Sequence, residues 1–173
     1  MKKLENDIVF LRALEPADLN DLYDWENDIT VWPVTSTYIP FNRTTLNAYA
    51  QSVQDIFAEK QYRFVIVLKG TGKAIGFVDL FDFEPVHGRA GVGILIAGEE
   101  NRNKGYGKKA LDLIILYAKE ILMIRMLFAN IGSDNSGSIK VFESSGFVKC
   151  GTKKDWTKTP DGFLDEHIYQ IVF

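Results

Sequence analysis

The chain has 173 residues, 46% of them hydrophobic and 25% charged, with a formal net charge of −3. That length suits one domain able to bury a core without staples, and the charge argues against nucleic acid as the main partner. One cysteine, Cys150, excludes an internal disulfide, and no apolar run is long enough for a signal core or a membrane span, so a cytoplasmic protein is expected.

In chain order, Ile8–Arg12 reads as a short strand of alternating character. Glu15-Pro16-Ala17-Asp18 is a helix start, with proline in the first turn and acids favoured by the dipole. Asp28 to Pro40 is read as a loop holding Trp32 and Tyr38. A second helix begins at Asn42 or Thr44 and its apolar spacing continues through Ile56-Phe57. Arg63–Leu68 and Ala74–Phe83 are strands joined by the turn Lys69-Gly70-Thr71-Gly72-Lys73. Arg89–Ile96 is a third strand. The long apolar-periodic run Lys108–Leu122 is a helix, Arg125–Ile131 a strand, and Ser136–Ser145 a short helix. Val148–Trp156 and Leu164–Phe173 form a terminal strand pair around Pro160-Asp161-Gly162. Cys150 reads as a small strand residue.

Between the third strand and the long helix lies Arg102-Asn103-Lys104-Gly105-Tyr106-Gly107. A helix start leaves backbone N–H groups without partners, its dipole adds positive potential, and Arg102, Lys104 and Lys108 add full charges. Glycines let a ligand approach the main chain. This is the chemistry of an anion site. The order of Gly98, Lys104, Gly105 and Tyr106 does not fit a Walker loop, and Gly91 and Gly93 lack the third glycine of a dinucleotide fingerprint. A second segment, Asn135-Ser136-Gly137-Ser138-Ile139-Lys140-Val141-Phe142-Glu143-Ser144-Ser145-Gly146-Phe147, reads as a helix capped by Asp134 or Asn135. Ile139 and Phe142 share one face, and Gly146 and Phe147 form the exit.

The R-x-x-G-x-G loop and the N-x-x-[AS]-x-x-x-[YF]-x-x-x-G-F segment, in this order, resemble the GNAT (GCN5-related) N-acetyltransferases. The tracts Trp25-Glu26-Asn27-Asp28 and Asp161-Gly162-Phe163-Leu164-Asp165 resemble the spermidine and ribosomal-protein N-terminal acetyltransferase subgroup. The resemblance implies an α/β fold with a splayed central sheet of about seven strands, helices on both faces, and element order β-αα-βββ-α-β-α-ββ. It also implies an enzyme that moves an acetyl group from acetyl-CoA directly to a primary amine. The acceptor would be a polyamine, a protein N-terminus or a small amine, and no metal, membrane or nucleic acid is implied. Relatives in that family are often homodimers.

By the same resemblance, Ile94, Leu95 and Ile96 cradle the pantetheine arm. Arg102, Asn103, Lys104, Gly105, Tyr106, Gly107 and Lys108 hold the pyrophosphate. Asn135 and Ser138 reach the arm, and Phe142 packs near the thioester. A backbone N–H near Ile96 would face the oxyanion. Two departures stand out: Phe142 replaces the usual tyrosine acid, and Gly91 replaces a carboxylate that serves as base. Ser138 is therefore the candidate acid, with an unassisted thiolate as the alternative. Asp79, first of the group Asp79, Asp82, Glu84 and His87, is the candidate base. Asp24, Glu26, Asp28, Trp25, Trp32 and Tyr38 join these acids as a candidate lining for a cationic acceptor. The two missing catalytic groups also keep a catalytically weak CoA-binding or sensor module open as the alternative.

Overall fold

The computed structural model describes residues 4–35 and 37–173. Strand β1, Val9–Ala13, leads into a 3-10 turn at Pro16–Asp18 and helix α1, Leu19–Glu26. Proline starts that turn, and Glu15 and Asp18 cap one another reciprocally. Asp18 is buried, held by two contacts from Arg12 at 2.7 and 2.6 Å.

The stretch expected to be a loop contains a short helix, α2, Trp32–Thr35. Asp28 nucleates it: its carboxylate accepts from the Thr30 N–H and hydroxyl, and its carbonyl accepts from the Val31 N–H. Helix α3, Arg43–Gln51, starts at Asn42, whose side chain accepts from the Thr45 N–H at 2.9 Å. The apolar spacing predicted continuation to Phe57, but the helix stops at Ser52. The Ser52 hydroxyl turns back onto the Tyr49 carbonyl at 2.7 Å, and Asp55 caps a separate helix, α4, Ile56–Glu59. Local side-chain bonding outcompetes helix continuation there.

The remaining strands are β2, Tyr62–Leu68; β3, Ala74–Glu84; β4, Arg89–Ile96; β5, Met126–Gly132; β6, Val148–Thr159; and β7, Gly162–Val172. With α5, Tyr106–Glu120, and α6, Ser136–Ser144, they form a seven-stranded sheet of order β1-β2-β3-β4-β5-β7-β6. Only β4 and β5 run parallel, joined by the crossover through α5; every other neighbouring pair is antiparallel.

Side-chain alternation divides the core in two. Phe64 and Ile66 of β2 point to a cluster with Leu80, Leu111, Ile114, Leu127, Phe142 and Phe147, under α5 and α6. Val65 and Val67 point the opposite way, to Leu22, Leu46, Ala50 and Phe77, under α1 and α3. The run Phe64-Val65-Ile66-Val67 is apolar throughout because both faces of β2 are covered. Helices thus lie on both faces, as expected. Among the described residues, no helix is long and apolar enough to cross a membrane.

Candidate active site

The site follows from how β4 leaves β5. The two strands pair at Arg89↔Met126, Ala90↔Leu127 and Gly91↔Phe128, and no further. Burial along β4 records the parting: Ala90, Gly91 and Val92 are buried, whereas Gly93, Ile94, Leu95 and Ile96 are only partly so. Beyond Gly91 the edge of β4 facing β5 has no strand partner among the described residues. Peptide groups there are available to a ligand lying in the opening. Ile94 and Ile96 pack toward the α5 face, and Leu95 packs toward α1 and α3.

The basic loop closes one end of this opening. Asn103 and Gly105 take left-handed conformations, at φ 58° and 79°, and Gly105 is the N-cap of α5. The helix therefore starts two residues earlier than its apolar pattern predicted. No side chain caps it, and the N–H groups of Tyr106, Gly107 and Lys108 have no acceptor among the described residues. Arg102 braces the loop by donating from Nε to the Ile96 carbonyl at 3.2 Å. Lys104 is exposed. Lys108 lies beside Asp112 at 2.7 Å, and Asp112 also accepts from the Ser145 hydroxyl at 2.8 Å, joining α5 to α6.

Gly107 stands where the elements converge. A Cβ there would lie 3.7 Å from Ile96, 3.8 Å from Ile94 and 3.9 Å from Val141 of α6. The fold thereby brings the two sequence motifs together. Asn135 is the N-cap of α6; its side-chain oxygen accepts from the Ser138 N–H at 3.0 Å. Ser138 is partly buried, and its hydroxyl has no hydrogen-bond partner among the described residues. Phe142 is 3% exposed, edge-on to Phe147 at 4.9 Å. Gly146, at φ 93°, makes the exit turn that carries Phe147 back.

A family model described as an acetyltransferase (GNAT) domain matches residues 9–148, spanning the opening, the basic loop and the α6 motif. The chain belongs to the GNAT acetyltransferase family. It is therefore an acyltransferase whose cosubstrate is acetyl-CoA and whose acceptor is an amine. An uncharacterized N-acetyltransferase, p20, of Bacillus licheniformis is 26% identical over 99% of this chain and 97% of its own length. Spermidine N(1)-acetyltransferase of Vibrio cholerae is 26% identical over 84% of this chain and 82% of its own. The crystal structure of Vibrio cholerae spermidine N-acetyltransferase in complex with CoA and spermine superposes with a TM-score of 0.86 at 22% identity, over 96% of each chain; that similarity shows the shared fold.

Within the GNAT frame, the two departures have structural counterparts. At Gly91 a Cβ would fall 2.2 Å from the ring of Phe81, so an aromatic ring fills the space of the expected carboxylate. Phe81 in turn packs edge-on against Phe128 of β5, at 5.7 Å. The acids that lie close together in sequence do not stay together. Asp82 and Glu84 lie further along β3 than Asp79, past a register shift between Phe81 and Glu84 at which Asp82 takes φ 46°. Asp82 and Glu84 line a groove of about 590 Å³ with Lys60, Phe83, Arg89, Met126 and Phe128, at the end of β4 opposite the basic loop. His87 is exposed in its turn.

Asp79 instead faces Arg63, and Glu26 joins the same arginine from α1. Of the remaining candidate acceptor residues, Asp24, Asp28 and Tyr38 are exposed. Trp25 packs edge-on to Phe77 at 4.9 Å, and Trp32 donates from Nε1 to the Glu26 carbonyl at 2.9 Å. Both tryptophans hold α1 in place. Arg63 was missed by the sequence reading; as the opening residue of a strand it resembles any solvated arginine. The signal that could have found it is its place at an otherwise apolar strand flanked by two helices. Among the described residues, no cluster of three or more His, Cys, Asp or Glu side chains is arranged to hold a metal.

Proposed function

We propose that this acetyltransferase acts on a cationic primary amine of the polyamine type, held on the α1/α3 side of the sheet. The observation that carries the reading is the parting of β4 from β5 beyond Gly91, with the uncapped start of α5 at its mouth. A thioester arm fits between the strands only where they part, and a diphosphate fits where free N–H groups and lysines converge. The curated relatives named spermidine N(1)-acetyltransferases, which align over most of this chain, support the polyamine class.

In this reading Arg102, Asn103, Lys104, Gly105, Tyr106, Gly107 and Lys108 hold the diphosphate through backbone N–H groups and cationic side chains. The unpaired edge of Ile94, Leu95 and Ile96 hydrogen-bonds the arm and offers an N–H to the carbonyl oxygen. Asn135 spends its side-chain oxygen on the α6 cap, which leaves its amide N–H₂ for the arm. Phe142 is a wall of the cleft. When bound, acetyl-CoA supplies an activated acyl carbon. The chain's own work is to exclude water, align the amine and supply a proton to the departing sulfur. Ser138, with an uncommitted hydroxyl at the start of α6, is the proposed donor of that proton.

The test is turnover with a panel of amines, followed by thiol release and by mass of the acetylated product. Spermidine is expected to gain 42 Da, about the mass of one acetyl group replacing a hydrogen. Tight CoA binding with no thiol release on any amine would instead indicate a CoA-binding module. Arg102→Ala with Lys104→Glu is expected to raise the acetyl-CoA KM by about tenfold or more while the acceptor KM stays put. Ser138→Ala is expected to lower kcat by about 10²-fold at unchanged CoA affinity; a wild-type rate would favour departure of the sulfur as thiolate, without a side-chain acid.

A further inference from the structure

The α1/α3 side of the sheet carries a charged cluster that the acetyl transfer described above does not use. Arg63 of β2 stands directly across from Asp79 of β3. Its Nε and Nη2 donate to the two Asp79 oxygens at 2.7 and 2.8 Å, a two-pronged fit. Its third nitrogen, Nη1, donates to Glu26 at the last residue of α1. The guanidinium lies 4.7 Å from the Phe77 ring centre and 5.9 Å from that of Tyr49 on α3. Burial disfavours charge on Arg63, but Asp79 and then Glu26 outweigh it and hold the guanidinium above its ordinary range. Burial likewise pushes the Tyr49 hydroxyl up. Among the described residues, Arg63 of β2, Glu26 of α1 and Tyr49 of α3 make up the charged and titratable surroundings of Asp79.

Two carboxylates against one guanidinium leave one net negative charge. Asp79 is the member that carries it toward solvent: its side chain is 34% exposed, against 18% for Arg63 and 13% for Glu26. On the other side of Asp79 the register places Gly93 of β4. A Cβ at Gly93 would meet only Phe81, at 3.9 Å, so the space beside Asp79 is open where β4 starts to leave β5.

We propose that Arg63 is a positioning residue that makes Asp79 the binding carboxylate for the acceptor's ammonium group, so that Asp79 holds the amine and does not take its proton. This rests on the amine-acetylating function proposed above. Each Asp79 oxygen spends one lone pair on Arg63 and keeps another for an incoming N–H. A proton added to either oxygen would take up that free lone pair and turn two charge-assisted bonds to Arg63 into weaker ones inside a half-buried cluster. The amine therefore docks as a cation and releases its proton to water before it attacks. Binding replaces the proton-accepting role expected of Asp79 from sequence.

The test combines calorimetry of spermidine binding to the CoA-loaded chain with kcat and KM measured across pH. Asp79→Asn, which keeps the shape, is expected to weaken spermidine by about tenfold or more, seen as KM. Its kcat is expected to stay within about threefold of wild type, with the pH midpoint of kcat unmoved. Arg63→Gln is expected to raise KM as well, and Arg63→Lys to restore part of the loss. A fall in kcat of about 10²-fold at unchanged KM, with a displaced pH midpoint, would make Asp79 the base and overturn the proposal. Equal spermidine affinity in wild type and Asp79→Asn would also overturn it. Should Arg63→Gln fail to fold, Asp79→Asn decides alone. A wild-type chain that binds spermidine without acetylating it would count against the proposed reaction, while calorimetry would still decide the role of Asp79. A wild-type chain that binds no spermidine overturns this proposal.

Discussion

Gly91 shows how much a single missing side chain can decide. Its place beside Phe81 leaves no room for a Cβ, with 2.2 Å to the nearest ring carbon. Gly91→Ala is expected to cost about 1–3 kcal/mol in urea unfolding, and Phe81→Leu in the same chain to recover much of it, a coupling that a double-mutant cycle measures. Asp18 decides a different property. Burial works against its charge, but the hydrogen bonds from Arg12 and the Glu15 N–H outweigh burial and hold its carboxyl below the usual range. A lowered folded-state value means stability that is present above the ordinary carboxylate range and is lost as pH falls through and below it. Wild type should therefore lose more stability than Asp18→Asn between about pH 5 and pH 2, and at neutral pH the variant should be less stable by about 2 kcal/mol. Equal acid sensitivity of the two chains in thermal melts would contradict this.

Among the elements, α5 carries two jobs at its opposite faces and ends. Ala110, Leu111, Ile114 and Ala118 are buried against the sheet, while its first turn is left uncapped. Stability and anion affinity should separate along it. Leu111→Ala is expected to lower stability by about 2–5 kcal/mol through the cavity it leaves. Gly105→Ala meets no steric contact, yet must hold φ +79°, which costs about 1 kcal/mol and loosens the loop. CoA affinity should fall more in Gly105→Ala than in Leu111→Ala, measured by calorimetry at a temperature where both remain folded. Helix α6 behaves in the opposite way: its start is capped, and Asn135→Ala should lower Tm by the equivalent of about 1 kcal/mol.

The whole molecule is a sheet covered on both faces and parted along one line. The covered part supplies rigidity, and the parted part supplies function. Ligand that fills the opening bridges β4, α5 and α6, so it should stabilise the entire fold. At a concentration 100 times the wild-type Kd, CoA should add about 2.7 kcal/mol, read as a rise in Tm that Arg102→Ala with Lys104→Glu cuts to about half or less at the same concentration. Absence of any shift in the wild-type chain would count against the loop as the diphosphate site.

Local chemistry made a large part of this legible in the sequence. Strands β2 to β5 and helices α5 and α6 follow from apolar periodicity, caps and glycines within a few residues of one another, and so does the anion loop, because its glycines, cations and helix start are contiguous. The stop at Ser52 was local too, a hydroxyl competing for the Tyr49 carbonyl. Tertiary structure alone decided two things. The separation of Asp79 from Asp82 and Glu84 came from strand pairing, which sets Asp79 between Arg63 and Gly93 and shifts register between Phe81 and Glu84. The partnership of Asp79 with Arg63 and Glu26 joins residues 16 and 37 positions from the arginine. Short-range order is written in neighbouring side chains, whereas the partner of a charge depends on which strands and helices come to lie side by side.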